Sequence, residues 1–208
     1  IIYLSGLGEA GDDLSEHLSS RQATGEALRE GPVPVTELRA AVIVGSGSGS
    51  FEIIRDLTRR LPAMVAPRWV ETRCEPIAIR DVIGYLAGCL DEPRTIGERL
   101  DIGGGEVLTY REMLRICAEE QGRPFRLLGV PVLTPRLSSY WLHLVTSVDF
   151  AIARPLVEGL RNDVVTSDQR IREWLPRPLL SYREAVRLAL AKEGGALRES
   201  RWQDASRL

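Results

Sequence analysis

Residues 35–44 read Val35-Thr36-Glu37-Leu38-Arg39-Ala40-Ala41-Val42-Ile43-Val44, and the second half of this run is apolar without a break. β-Branched residues in such a run predict a strand, and the continuous apolar stretch predicts burial on both faces. Strands covered on both sides belong to parallel sheets sandwiched by helices. Upstream, Ile1-Ile2-Tyr3-Leu4, closed by Ser5-Gly6, reads as a second buried strand ending in a turn. Between the two, residues 15–29 carry good helix formers, with Leu18, Ala23, Ala27 and Leu28 as a rough apolar stripe and Gly31-Pro32 as the stop. Strand, helix, strand in this order predicts a βαβ unit.

The alternation continues downstream. Phe51 to Leu61 predicts an amphipathic helix ended by Pro62, Pro76 to Ile79 a short extended piece, and Asp81 to Leu90 a helix capped by Asp81. Arg99 to Ile102 predicts another strand, and Thr109 with Glu112 predicts a capping box opening the helix Tyr110 to Glu120. Phe125 to Val130 predicts a strand. Beyond Pro131 only helical patterns are expected: 135–150, 151–160, 168–174 and 182–191. The fold expected is therefore α/β: a parallel sheet with flanking helices over residues 1–130, a mainly helical cap section over 131–193, and a polar tail over 194–208.

Composition limits the partners. The chain has 208 residues, 44% hydrophobic and 27% charged, with a formal net charge of -2. That balance gives no reason to expect a nucleic-acid partner or an anionic membrane surface, and no apolar run approaches membrane-spanning length. Three widely spaced cysteines, Cys74, Cys89 and Cys117, match no zinc spacing and fit buried thiols in a reducing cytoplasm. No metal site is expected. The chain opens inside an apolar run, which reads as a sequence cut from something longer.

Two glycine-rich stretches invite a phosphate. Gly45-Ser46-Gly47-Ser48-Gly49-Ser50 follows a strand and opens a helix, but its glycines are not spaced G-x-G-x-x-G and no acidic residue ends a second strand about 20 residues on. A strand-to-helix turn at the rim of a pocket is the simpler reading. Gly103-Gly104-Gly105 also reads as a turn.

Three stretches in order resemble the second half of the extended and atypical short-chain dehydrogenase/reductases. Ile1-Ile2-Tyr3-Leu4-Ser5-Gly6 is similar to the strand ending at that family's active-site serine. Leu38-Arg39-Ala40-Ala41-Val42-Ile43-Val44-Gly45 is similar to the strand beside the nicotinamide. Pro76-Ile77-Ala78-Ile79-Arg80-Asp81-Val82, Leu100-Asp101-Ile102-Gly103-Gly104 and Leu108-Thr109-Tyr110-Arg111-Glu112 resemble a run in the epimerase-like members. The subgroup most similar is the NmrA-like or complex-I-subunit-like NAD(P)-binding proteins, over about residues 1–190.

The resemblance implies NAD or NADP as cofactor, a small-molecule substrate, and a family phosphate-binding half ahead of Ile1, which leaves this chain only the nicotinamide-side wall. Ser5, Gly6, Arg21, Ala40, Ala41 and Val42 would face the cofactor, and Ser5 would polarise the reacting oxygen. The family's Tyr-x-x-x-Lys pair cannot exist here, because Lys192 is the sole lysine and Leu188 stands four residues before it. His17 and Arg21 offer the same i, i+4 spacing on one helix face. His17 could move a proton near neutral pH and Arg21 could hold an anionic oxygen; an exposed polar face is the competing reading. Trp69, Tyr140 and Trp141 are candidates for a substrate cleft, with helix packing as the alternative for the last two. The expected function is an NAD(P)-binding oxidoreductase, with a non-catalytic redox sensor or assembly subunit and a nucleoside-diphosphate-sugar epimerase-like enzyme as alternatives. With the phosphate-binding half absent, the first strand is expected to leave an apolar sheet edge prone to self-association.

Overall fold

A computed structural model describes residues 1–8, 16–61, 63–66, 68–129 and 162–193. Its central sheet holds β1 (Ile2–Gly6), β2 (Thr36–Ala40) and β7 (Arg99–Ile102), all parallel, in the order β1-β2-β7. Helix α1 (Glu16–Arg29) connects β1 to β2 and packs on β1. The expected parallel, helix-flanked sheet is present.

The run at 35–44 is not one strand. It breaks after Ala40, and β3 (Ile43–Val44) pairs in parallel with β6 (Ile77–Ala78) instead of continuing beside β7. Hydrogen bonds show the exchange of neighbours. The Ala40 carbonyl accepts from Leu7 N at 2.8 Å, and two residues later the Val42 carbonyl accepts from Ile77 N at 2.9 Å. A second parallel pair joins β4 (Ala63–Ala66) to β9 (Arg126–Gly129), and β5 (Arg73–Cys74) meets β8 (Leu108–Thr109) antiparallel.

The remaining helices are α2 (Gly49–Arg60), α3 (Ile79–Asp91), α4 (Tyr110–Glu120), α5 (Arg170–Trp174) and α6 (Tyr182–Glu193). The capping box of Thr109 and Glu112 forms as the sequence predicts. Asp81 does not cap α3. That helix begins two residues earlier, and Asp81 is buried, where it accepts from Leu180 N at 3.0 Å.

Alternation along the strands gives the central sheet two unlike faces. Leu38, Ala40, Leu100 and Ile102 join Val82, Tyr85 and Cys89 of α3 in one apolar cluster. The other face carries Tyr3, Ser5, Glu37, Arg39, Arg99 and Asp101, aligned by the register Tyr3↔Glu37↔Arg99 and Ser5↔Arg39↔Asp101. A second apolar cluster lies among α2, α4 and α6, with Phe51, Leu57, Met113, Cys117 and Val186 fully buried.

Residues 162–181 form a strap that is irregular on either side of α5. Val164 bridges Cys74 in parallel, so the section after Pro131 is not wholly helical. Buried carboxylates hold the strap by its backbone. Glu75 accepts from Thr166 N at 3.2 Å, Asp101 from Ser167 N at 3.1 Å and Asp168 N at 3.3 Å, and Asp81 from Leu180 N.

Candidate functional site

Because β1, β2 and β7 run the same way, their carboxyl ends gather at Gly6, Ala40 and Ile102 along one side of the sheet. In open α/β sheets ligands bind in the crevice beyond these ends. Ala40 and Val42 are buried there and Ala41 is half-buried. Gly6 lies in a tight contact. A Cβ at this position would stand 2.4 Å from Leu18 Cδ2, so α1 approaches β1 closely at that point.

Arg21 extends from α1 to the end of β1. Its Nη1 donates to the Leu4 carbonyl at 3.3 Å, while its own carbonyl accepts from the Tyr3 hydroxyl at 3.0 Å. Ile1 O and Leu7 N both bond to β2, so by alternation the Leu4 carbonyl points to the outer edge of β1. Arg21 therefore brings a positive charge to the rim of the crevice and covers part of the exposed edge. His17 stands in the first turn of α1, four residues earlier, and Trp69 stands in the single 3-10 turn Arg68–Glu71. The side chains of both, and the whole of Tyr140 and Trp141, lie outside the described residues.

Ser5 is buried, and its hydroxyl donates to Glu37 Oε1 at 2.7 Å. Glu37 Oε2 accepts from Arg99 Nε at 2.8 Å and from Arg29 at 3.4 Å. Gly25 of α1 leaves room for this carboxylate, which a Cβ would approach to 3.1 Å. Burial pushes the Glu37 carboxyl up, but the Ser5 hydrogen bond, the Arg99 hydrogen bond and the charges of Arg99 and Arg29 outweigh it, and the net shift is downward. The Ser5 proton is thus already held by a carboxylate on the same face of the sheet. Sequence reasoning missed Glu37, since its partners stand 32 and 62 positions away. The one available sign was an acid within a run read as a buried strand.

The glycine stretches are turns. Gly103 and Gly104 pack so tightly that a Cβ would come to 2.5 Å from Glu75 Cδ and 2.3 Å from the Pro76 carbonyl oxygen, and Gly105 adopts φ 88°. Glu75 fills the turn, accepting from Gly105 N at 3.0 Å and pairing with Arg172. At Gly45 a Cβ would stand 2.6 Å from Ile79 Cγ2, and Ser48 Oγ donates to the Ile43 carbonyl at 2.8 Å. Cys74, Cys89 and Cys117 are all buried. Burial pushes the Cys74 thiol up to about 12, against the opposing hydrogen bonds of Val42 and Tyr110. Among the described residues, no helix is long and apolar enough to cross a membrane.

No protein-family model and no curated protein matches the chain. Solved structures do. An NADPH-dependent quinone oxidoreductase from Escherichia coli, complexed with NADPH, aligns over 89% of this chain and 64% of its own at 14% identity, TM-score 0.69. A nucleoside-diphosphate-sugar epimerase from Staphylococcus aureus aligns over 90% and 64% at 13% identity, TM-score 0.68. A UDP-glucose 4-epimerase from Thermotoga maritima, with UDP-glucose, aligns over 93% and 62% at 15% identity, TM-score 0.62. The chain spans less than two thirds of the length of each. At these identities the likeness concerns the fold alone: the chain has a Rossmann-like, parallel α/β architecture.

Proposed function

We propose that the chain is the nicotinamide-side part of an NAD(P)-binding oxidoreductase of the atypical short-chain dehydrogenase type. The observation that carries this reading is the meeting of the β1 and β2 carboxyl ends at Gly6 and Ala40, with the Arg21 guanidinium at the rim. Gly6, Ala40, Ala41 and Val42 form the wall against which the nicotinamide lies. Arg21 faces an anionic oxygen of the cofactor, and His17, one helical turn away, moves the proton that accompanies hydride transfer to a small apolar carbonyl compound. A phosphate-binding segment pairs along the outer edge of β1 and supplies the pyrophosphate cradle. Trp69, Tyr140 and Trp141 line the substrate side, and the site works in the cytoplasm.

A second reading, a non-catalytic redox sensor or assembly subunit, is favoured by the Ser5 hydroxyl. With its proton held by Glu37 at 2.7 Å, Ser5 must change acceptor before it can donate to a substrate oxygen. Protein purified from its native source separates the readings when incubated with NADH or NADPH and a panel of carbonyl compounds. Turnover that collapses in His17→Ala supports the oxidoreductase. Cofactor binding without turnover supports the sensor. Neither binding nor turnover overturns both.

A further inference from the structure

The carboxyl ends of α2 and α4 emerge at one corner of the molecule. Gln121, at the end of α4, donates from Nε2 to the Thr58 hydroxyl at 2.6 Å and to the Arg55 carbonyl at 3.4 Å, so it rests on the last turns of α2. Gly122 then turns the chain with φ 63°, and Arg123 N donates back to the Ala118 carbonyl at 3.0 Å. Each helix feeds one strand of the same parallel pair, with Ala63 of β4 beside Arg126 of β9. The two connections therefore run side by side. They carry Arg59 and Arg60 in the last turn of α2 and Arg123 and Arg126 after α4, and all four are exposed.

Charge at this corner is not balanced. Asp56 is buried and holds Arg55 at 2.8 Å and Arg60 at 3.7 Å. Glu119 is held by Arg115 and Arg183, and Glu120 by Arg183 and Arg187. Arg59, Arg123 and Arg126 make no ion pair among the described residues. Two helix carboxyl ends supply together about one negative charge, which leaves a surplus of about two positive charges here. The chain as a whole has a formal net charge of -2, so its remaining surface is more negative still. That wider field opposes a long uniform polyanion such as nucleic acid or an anionic bilayer. A short acidic segment meets only the corner. In extended form its alternate side chains recur about every 6.6 Å along one face, within the roughly 10 Å that the chain from Arg123 to Arg126 can span. Guanidinium forks take carboxylates by paired hydrogen bonds.

We infer that this corner is a docking site for an acidic, extended segment of a partner protein, whose carboxylates pair with Arg59, Arg123 and Arg126. Neither the cofactor crevice nor the edge of β1 takes part, so the inference stands apart from the proposed function.

Fluorescence anisotropy of a labelled peptide of alternating Glu and Ser, titrated with the full chain to about 1 mM, reads it directly. The expected result is saturable binding that Arg123→Glu and Arg126→Glu together weaken at least about tenfold. The neutral pair Arg123→Gln and Arg126→Gln weakens it less, and about 0.5 M salt abolishes it. Arg80→Glu makes a like change of charge on α3 and leaves binding unaltered. The substituted residues at the corner are exposed and make no ion pair, so the melting temperature of these variants stays at the wild-type value and lost binding is not lost fold. No binding of the peptide overturns the inference. So does binding indifferent to Arg123 and Arg126. Tighter binding of oligothymidine or of phosphatidylglycerol vesicles than of the peptide also overturns it, since the corner would then favour phosphate over carboxylate.

Discussion

Ser5 Oγ lies 2.7 Å from Glu37 Oε1, across two neighbouring parallel strands and beneath α1. The contact joins β1 to an acid buried in the middle of the sheet. That acid also holds Arg99 and Arg29, so one carboxylate ties β1, β2, β7 and α1 together.

Removing this carboxylate should loosen all four elements. Glu37→Ala leaves the Ser5 hydroxyl without its acceptor and two arginines without their counter-charge. Both arginines reach solvent, which limits the loss. The expected destabilisation is about 2–3 kcal/mol, read as a lower urea midpoint at unchanged slope.

The same group gives a signed pH dependence. The Glu37 carboxyl is lowered in the folded protein, whereas in the unfolded chain it titrates at about 4.3. Its contribution is therefore complete above the unfolded value and is lost as pH falls through the lower folded value. The stability difference between wild type and Glu37→Gln should be level from neutral pH down to about 5 and shrink in more acid solution. A difference that grows on acidification would show the opposite sign and contradict the arrangement.

Glycines separate close packing from backbone strain. At Gly104 a Cβ would meet the Pro76 carbonyl oxygen at 2.3 Å, a backbone atom that cannot swing aside. Gly122 has φ 63° and nothing within 4 Å of an added Cβ. Gly122→Ala should cost about 1 kcal/mol for the left-handed conformation. Gly104→Ala should cost about 3 kcal/mol or more by forcing the turn apart. Paired thermal melts give the order directly.

The cysteines should be silent in the native state. All three are buried, and the Cys74 thiol is pushed up to about 12. At pH 8 the native protein should resist iodoacetamide for as long as it stays folded, with three thiols alkylated in urea. Rapid native labelling of Cys74 would mean that the core around β5 opens.

The sequence was most legible where the signal is local. The Thr109–Glu112 capping box spans four residues and appears as expected. Helices α1 and α2 follow from apolar spacing and a terminal glycine or proline. Pairing was less legible. Nothing within 35–44 announces the change of partner after Ala40, because Leu7 and Ile77, whose amides donate to the Ala40 and Val42 carbonyls, are distant in sequence. β4 was missed altogether, since four residues after a proline become a strand only through β9. At the candidate site, helix spacing put His17 and Arg21 on one face of α1, but the acid holding Ser5 was not legible, because that bond depends on strand register.

The central claim is that the β1 and β2 carboxyl ends form a nicotinamide-facing wall, and reduced nicotinamide mononucleotide tests it without requiring a pyrophosphate cradle. In an amide-resolved NMR titration, this probe should shift the Gly6, Ala40, Ala41 and Val42 signals saturably, Arg21→Ala should weaken the effect, and AMP should leave these amides unmoved. Unchanged spectra at millimolar probe, or equal shifts from AMP, would contradict it.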